Sequence, residues 1–566
     1  MKKVRLLALA AASSLLFALS LPNEVFPYGF PPLGPLALVP LYFAMLEAPS
    51  YRFVALAAGL YGALHHCLSS YWLFFFHDFA FWTLGTTTLA YFLVYAVYGL
   101  YMGYVLKHAG HFRPIAFALF WTCLEYAKST GFLGYPWGLL PYTQTLVLPF
   151  LQAADITGVY GLGFVLALAN AAVAELLFAM FGGTHRRTLA SSSWTAPRVG
   201  AKARGKAKAP PRKLRVMGEG LPLPASLRLG EVMRQGAFAL GLVGLVLGYG
   251  FWKLANPVEV AARIKTVIVQ QNADPWATGE TQGLLTNIRL AREAMAGRTD
   301  KPDLILFSES TLQRPYLDFL PWFERQPASD PLGPFIRSTG AYLFTGAPIV
   351  LDWQKFLATN SVILIAPDGR QVGDYAKVHP VPFSEAIPFW DYKPFREFIQ
   401  KVVGLESGWE MGTKFTVFEL PSAAGSIRFG APICFEDAFP EVCRQFFLGG
   451  ADLLVNLTND SWSKTDSSEI QHFAAARFRA IEFRKTLVRS TNGGVSCVVG
   501  ADGRVLASLP LFKEASMMVD VPVQKSPSPT IYLLWGDWFA KACLLLFSAC
   551  FLILWGSGMR RRRKMP

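Results

Sequence analysis

The sequence predicts a polytopic α-helical membrane bundle of eight spans, with one large α/β domain inserted before the last span. Three observations predict it. Of 566 residues, 52% are hydrophobic and only 16% charged, whereas ordinary soluble domains are about 25% charged. Apolar runs, each near the roughly 20 residues that cross a bilayer, crowd the first half and recur near the C-terminus. Between them, short apolar runs alternate with helical repeats, the pattern of sheets covered by helices.

The candidate spans lie at about 5–22, 29–47, 53–73, 86–106, 113–130, 157–181, 235–254 and 533–556. The first follows Lys2, Lys3 and Arg5. A cleaved signal peptide begins the same way, but the further apolar segments that follow at once favour a retained span. The fifth is the weakest, because Glu125 and Lys128 interrupt it; three residues apart on one helical face, they are able to pair. Basic residues fall before span one, after span two (Arg52), after span four (Lys107, Arg113), after span six and after span eight (Arg560 to Lys564). With eight spans these sites share one side, and the excess of positive charge on cytoplasmic loops then puts both termini in the cytoplasm.

The chain therefore divides into spans one to six (1–183), a basic loop (184–234), span seven (235–254), a catalytic-sized domain (257–530), span eight (533–556) and a basic tail (557–566). The loop is rich in Arg, Lys, Pro and Ala without apolar periodicity, so it reads as a disordered cytoplasmic linker near anionic lipid. It is the sole basis for a nucleic-acid arm. Because much of the net charge of +14 sits in such cytoplasmic segments, no nucleic-acid partner is expected. By the same count, residues 257–530 face away from the cytoplasm.

Within that domain, apolar runs at Thr266–Val269, Leu304–Phe307, Tyr342–Thr345, Val362–Ile365, Ile427–Gly430, Leu453–Asn456 and Val495–Val499 read as strands, and 281–296 and 467–484 as helices. Three strand ends carry reactive groups: Glu309, Lys377 and Cys434. Taken alone, Glu309 reads as a cap or surface acid, Lys377 as a solvated lysine and Cys434 as an inert buried thiol. Taken together they supply a general base, a fixed cation for an oxyanion and a nucleophile. Cys434 stands where a strand should give way to a helix, whose N–H groups would lower a thiol pKa. The seven cysteines show no zinc-ligand spacing, and no metal or cofactor is expected. Cys443 and Cys497 read as buried thiols, with a disulfide between them left open.

Glu-Lys-Cys is the triad of the nitrilase superfamily, and the surrounding residues resemble it. Tyr375–Glu385 (YAKVHPVPFSE) is similar to the superfamily's lysine motif with a second glutamate, Glu385. Asn456–Trp462 (NLTNDSW) is similar to its N-x-x-N-D-A-W segment. In the membrane half, Gly131–Trp137 followed by Tyr142-Thr143-Gln144 resembles the apolipoprotein N-acyltransferase family. The resemblance implies a nitrilase-like αββα sandwich on an inner-membrane bundle, with its catalytic face periplasmic. It implies a monomer that moves an acyl chain from a membrane phospholipid, through a Cys434 thioester, to the α-amino group of a diacylglyceryl-cysteine apolipoprotein. Glu385 would position Lys377 or the Glu309 proton. Glu436 would support the loop or favour a helix dipole, Trp462 would pack near the pocket, and Trp276 could match a substrate-loop tryptophan. Phe435 departs from the family, which often has Tyr there; Ser463 replaces an aromatic residue, and the basic loop is long. A membrane-tethered amidase acting on a small amide is the alternative, and a non-enzymatic transporter or scaffold is less supported.

Overall fold

The computed structural model describes residues 2–75, 81–190, 227–274, 276–403, 408–525 and 528–563. Most of the basic loop and the last residues of the basic tail lie outside them. Among the described residues, five helices are long and apolar enough to cross a membrane: Lys2–Ser20, Phe81–His108, Ala154–Met180, Leu229–Ala255 and Trp538–Gly556. Tyr51–Ser69 and Arg113–Ser129 are helices of 19 and 17 residues.

The expected span at 29–47 is not one helix. A 3-10 turn, Pro31–Leu33, is followed by a helix of 8 residues, Val39–Leu46. Pro31, Pro32 and Pro35 are the physical reason, since each lacks a backbone donor and disrupts the preceding turn. Asn170 repairs the break: its carboxamide oxygen accepts from the Leu38 N–H at 2.8 Å, and its Nδ2 donates to the Gly34 carbonyl at 3.0 Å. Such repair is what an apolar environment demands of non-helical backbone. The last helix starts at Trp538, not 533, because a short turn, Ile531–Trp535, stops at Gly536 with φ of 57°. The helices flanking the basic loop extend into it, to Ala190 and from Leu229.

Among the described residues, the α/β domain holds twelve strands. These are β1 (Val260–Gln270), β2 (Leu304–Leu306), β3 (Tyr342–Asp352), β4 (Leu357–Ile365), β5 (Gln371–Ala376), β6 (Val417–Ser422), β7 (Gly425–Gly430), β8 (Leu453–Thr458), β9 (Leu487–Thr491), β10 (Cys497–Val499), β11 (Val505–Ser508) and β12 (Ala515–Gln524). They form two six-stranded sheets, ordered β12-β1-β2-β3-β4-β5 and β11-β10-β9-β8-β7-β6. Strand alternation gives each sheet two apolar faces. Leu304, Leu306 and Phe344 meet Phe418, Phe429 and Val455 between the sheets, with Phe344 edge-on to Phe418 and Phe429 at 5.0 and 5.1 Å. Val267, Ile305 and Leu343 point the other way, onto Leu284, Ile288 and Phe335 of the covering helices. On the second sheet, the outer helices Pro440–Leu448 and Asp466–Phe483 complete an αββα sandwich. Pro522 sits inside β12, which is tolerated because that strand is an edge with a single partner, β1.

The helix Asp466–Phe483 and the residue after it seat the sandwich on the membrane half. Gln471 donates to the carbonyls of Pro22 and Ser69 at 2.8 and 2.9 Å, and Arg477 donates to Thr145 O at 2.8 Å. Arg484 pairs with Asp155 at 2.9 Å and donates to Gln152 O at 2.8 Å, while Gln152 donates to Asp502 O at 2.9 Å.

Candidate active site

Three chain segments converge at one end of the sandwich. β2 delivers Glu309, β5 delivers Lys377, and the link after β7 delivers Cys434. Gly346 of β3 lets the Glu309 segment pass close by: a Cβ there would lie 2.3 Å from Ser310 N and 2.7 Å from Glu309 Cα. Cys434 adopts φ of 50°, rare for a side-chain-bearing residue, and such strain persists where its surroundings over-determine it.

Glu309 is 5% exposed. Its Oε1 accepts from Asn360 Nδ2 at 2.8 Å and lies 3.5 Å from Lys377 Nζ; its Oε2 accepts from the Asn459 N–H at 2.9 Å. Burial raises its pKa above the ordinary carboxylate value, opposed by the Lys377 charge and by hydrogen bonds from Asn360 and the Cys434 thiol. Lys377 is buried and donates to Glu385 Oε1 at 2.9 Å. Burial alone would lower its pKa, but Glu385 and Glu309 carry it well above the ordinary value, so it stays cationic.

Cys434 departs from the sequence expectation. It begins a five-residue 3-10 turn, Cys434–Ala438, and the α-helix starts only at Pro440. Burial and then the Glu309 charge push its thiol pKa well up, against the pull of Lys377. The sulfur therefore rests as a thiol beside the buried Glu309 carboxyl, not as a preformed thiolate.

Glu385 reaches the centre from a turn that it closes itself, its Oε2 accepting from the Val381 N–H at 2.7 Å. Its Oε1 also accepts from Asn360 at 2.9 Å, so Asn360 bridges both glutamates. Glu436 is fully buried and clips the Lys377 loop to the Cys434 turn. It accepts from the backbone N–H groups of Val378 (2.8 Å), His379 (2.9 Å) and Ile433 (2.7 Å), and from Tyr375 OH at 3.0 Å. Burial pushes it up to about 7 in spite of these donors. Loop support, not a helix dipole, is what its contacts describe.

Phe435 stacks on Trp137 of the membrane half at 5.3 Å, and on its other neighbours it meets His379 and Phe439. Trp462 packs on Trp72 at 5.5 Å, placing it on the contact between the halves. The Trp276 ring is largely exposed, and its backbone N–H donates to Asp274 Oδ1 at 2.9 Å. Its loop nonetheless borders the site, since Ala273, Asp274 and Thr278 line a cleft with Ser310, Asn459 and Asn492. Cys443 and Cys497 are both buried free thiols. Sequence reasoning missed Asn360; Asn456, which opens the NLTNDSW segment, donates its Nδ2 to the carbonyls of Pro432 and Cys434 at 2.9 and 3.1 Å.

Comparison with known proteins divides the chain in the same way. Residues 13–172 match the family model described as apolipoprotein N-acyltransferase N-terminal domain, and residues 265–526 match carbon-nitrogen hydrolase. Apolipoprotein N-acyltransferase 2 of Treponema denticola is 38% identical, covering 94% of this chain and 94% of its own. Apolipoprotein N-acyltransferase 2 of Treponema pallidum is 36% identical, over 95% of this chain and 93% of its own. The apolipoprotein N-acyltransferase of Borreliella burgdorferi is 29% identical over 96% and 95%.

Proposed function

The chain belongs to the apolipoprotein N-acyltransferase family, and from that premise we propose that Cys434, Glu309 and Lys377 perform its acyl transfer. The donor is a phospholipid and the acceptor a lipoprotein. Glu309 takes the Cys434 proton as the sulfur attacks the ester carbonyl, and Lys377 with the Phe435 N–H steadies the oxyanion. Protonated Glu309 returns the proton to the departing lysophospholipid oxygen, leaving an acyl thioester. The α-amino group of a diacylglyceryl-cysteine N-terminus then attacks that thioester. Glu309 accepts the amine proton and Cys434 is regenerated, so the kinetics are ping-pong.

The observation that carries this reading is the Glu309 carboxylate. It is buried, held by Asn360 and the Asn459 N–H, 3.5 Å from Lys377, and close enough to the Cys434 thiol for each to shift the other's pKa. Glu385 positions Lys377, and Glu436 holds the two loops together. Both substrates are confined to a bilayer, so a site seated on the membrane half gains effective concentration. We read the membrane half as eight passes, with both termini cytoplasmic, the sandwich periplasmic and the chain monomeric; the alternation of basic residues along the sequence supports the orientation.

The test mixes purified protein with phospholipid and a diacylglyceryl-cysteine peptide. N-acyl peptide is the expected product, and it disappears in Cys434→Ala. Release of only free fatty acid, or of ammonia from a small amide, overturns the assignment.

A further inference from the structure

Beneath the site, the nucleophile turn and the Asn459 segment are joined by charges that the acyl-transfer steps do not use. Asp437 lies on the Cys434 turn, and Asp460 follows Asn459, whose N–H holds Glu309. Both carboxylates face His472, on the helix Asp466–Phe483. Its Nε2 is 2.8 Å from Asp437 Oδ1, and its Nδ1 is 2.9 and 3.0 Å from the two Asp460 oxygens. Arg489 of β9 closes the ring, pairing with Asp437 and lying 3.4 Å from Asp460 Oδ2. All four side chains are buried.

The other groups around this ring are few. Glu469, on the same helix as His472, stands near Asp460, and burial followed by the Asp460 charge raises its pKa well above the ordinary value. Thr458 donates to Asp460 at 3.1 Å. The Cys434 and Cys497 thiols lie near Arg489, and the Trp137 ring lies 5.4 Å from the imidazole.

A neutral imidazole has one N–H and one lone pair. Here each ring nitrogen meets a carboxylate, so a neutral ring would aim its lone pair at an anion. Only the imidazolium offers a donor to both. His472 and Arg489 then balance Asp437 and Asp460, whereas a neutral His472 leaves a buried negative charge uncompensated. Burial by itself lowers the His472 pKa, but Asp460 and Asp437 together carry it up to about 9.

We propose that His472 is a positioning residue: as an imidazolium it clamps the Cys434 turn to the Asn459 segment, which keeps thiol and base aligned. The proposal rests on Cys434 and Glu309 being nucleophile and base. It assigns His472 no bond-making step. Its folded pKa is raised, so the clamp is complete at neutral pH and is lost as pH rises through about 9.

The test follows Cys434 thioester formation by mass spectrometry, using the full-length enzyme in detergent with dioleoyl phosphatidylethanolamine and no acceptor. The wild-type rate should fall as pH rises through about 9, although thiolate formation alone would make it rise. His472→Gln should acylate about ten- to a hundredfold more slowly at neutral pH, with half-saturation by phospholipid unchanged and the alkaline fall abolished. A wild-type rate that climbs steadily through that range overturns the proposal. So does a His472→Gln enzyme that melts earlier but keeps the wild-type rate and pH profile. If His472→Gln does not fold, the wild-type profile decides alone. Continued acyl transfer by Cys434→Ala would instead sink the nucleophile assignment, a separate outcome.

Discussion

Glu309 is surrounded before any substrate arrives. Asn360 and the Asn459 N–H hold its two oxygens while Lys377 stands beside one of them. Asn360→Ala removes a donor that favours the charged base and loosens Glu385 as well, so thioester formation should slow by about ten- to a hundredfold. The rate of the Cys434 adduct, followed by mass spectrometry, checks this; an unchanged rate would show that Asn360 is a bystander. Because burial raises the Glu309 pKa, the acid limb of Cys434 acylation should sit above the ordinary glutamate value of 4.5. The rate falls as pH drops through that raised value, since a protonated Glu309 cannot accept the thiol proton. A limb at the ordinary value would contradict a buried base. Glu309 was legible in the sequence because it follows an apolar strand, where an ionisable residue stands out; Lys377 follows β5, whose residues are mostly polar or small, and is marked instead by its motif. Asn360 was not legible, because it lies among Thr359 and Ser361 inside a strand, and its two carboxylate partners are distant in the chain.

Individual elements set the reach of these residues. β3 passes beneath the Glu309 segment, and Gly346 provides the space. Gly346→Ala places a methyl group against backbone that cannot rotate away. It should cost about 1–3 kcal/mol of stability and reduce acylation further than that loss explains, because Glu309 itself is displaced. Thermal melts and the adduct rate, measured on the same preparation, separate the two effects; a variant with wild-type activity would refute the tight fit. Strands with continuous apolar runs, such as β2 and β8, were readable from sequence. β9 and β12 were harder, since one carries the buried Arg489 and the other Asp520 and Pro522. The segment expected at 29–47 is apolar and helical but interrupted, because its prolines break it into a 3-10 turn and a short α-helix. The α-helix expected directly at Cys434 failed because Pro440 sets the true start.

At the scale of the whole molecule, the sandwich and the bundle share buried charges. Arg484 is 7% exposed at the side chain and Asp155 3%. Among the described residues, Arg484→Ala leaves Asp155 with Tyr249 and Lys253, so detergent-solubilised enzyme should lose about 3 kcal/mol, read from denaturant unfolding. No loss would mean that the halves are held by apolar contact alone. The proposed orientation is checked by labelling: with an impermeant maleimide on intact spheroplasts, Lys355→Cys should react and Ser192→Cys should not. The reverse pattern would invert the topology. The proposed orientation rests on charge alternation in the sequence, whereas the seating of one half on the other depends on single side chains such as Gln152 and Arg484 that no periodicity marks.

β1 and β12 are neighbours in one sheet, paired from Val260 with Gln524 to Gln270 with Ala515. On a ribosome they are about 240 residues apart, which at bacterial synthesis speeds of about 5–20 residues per second is a wait of roughly 10–50 seconds. During that wait β1 has emerged but its edge partner has not been made. The hydrophobic face and open backbone of β1 are then exposed, tethered to the apolar helix Leu229–Ala255. The sandwich closes only when β12 arrives, just ahead of the final helix. Completion of the sheet and insertion of the last span are thus nearly simultaneous events in the life of each new molecule, and a ribosome stalled before residue 515 would leave an unfinished, aggregation-prone domain hanging from the membrane.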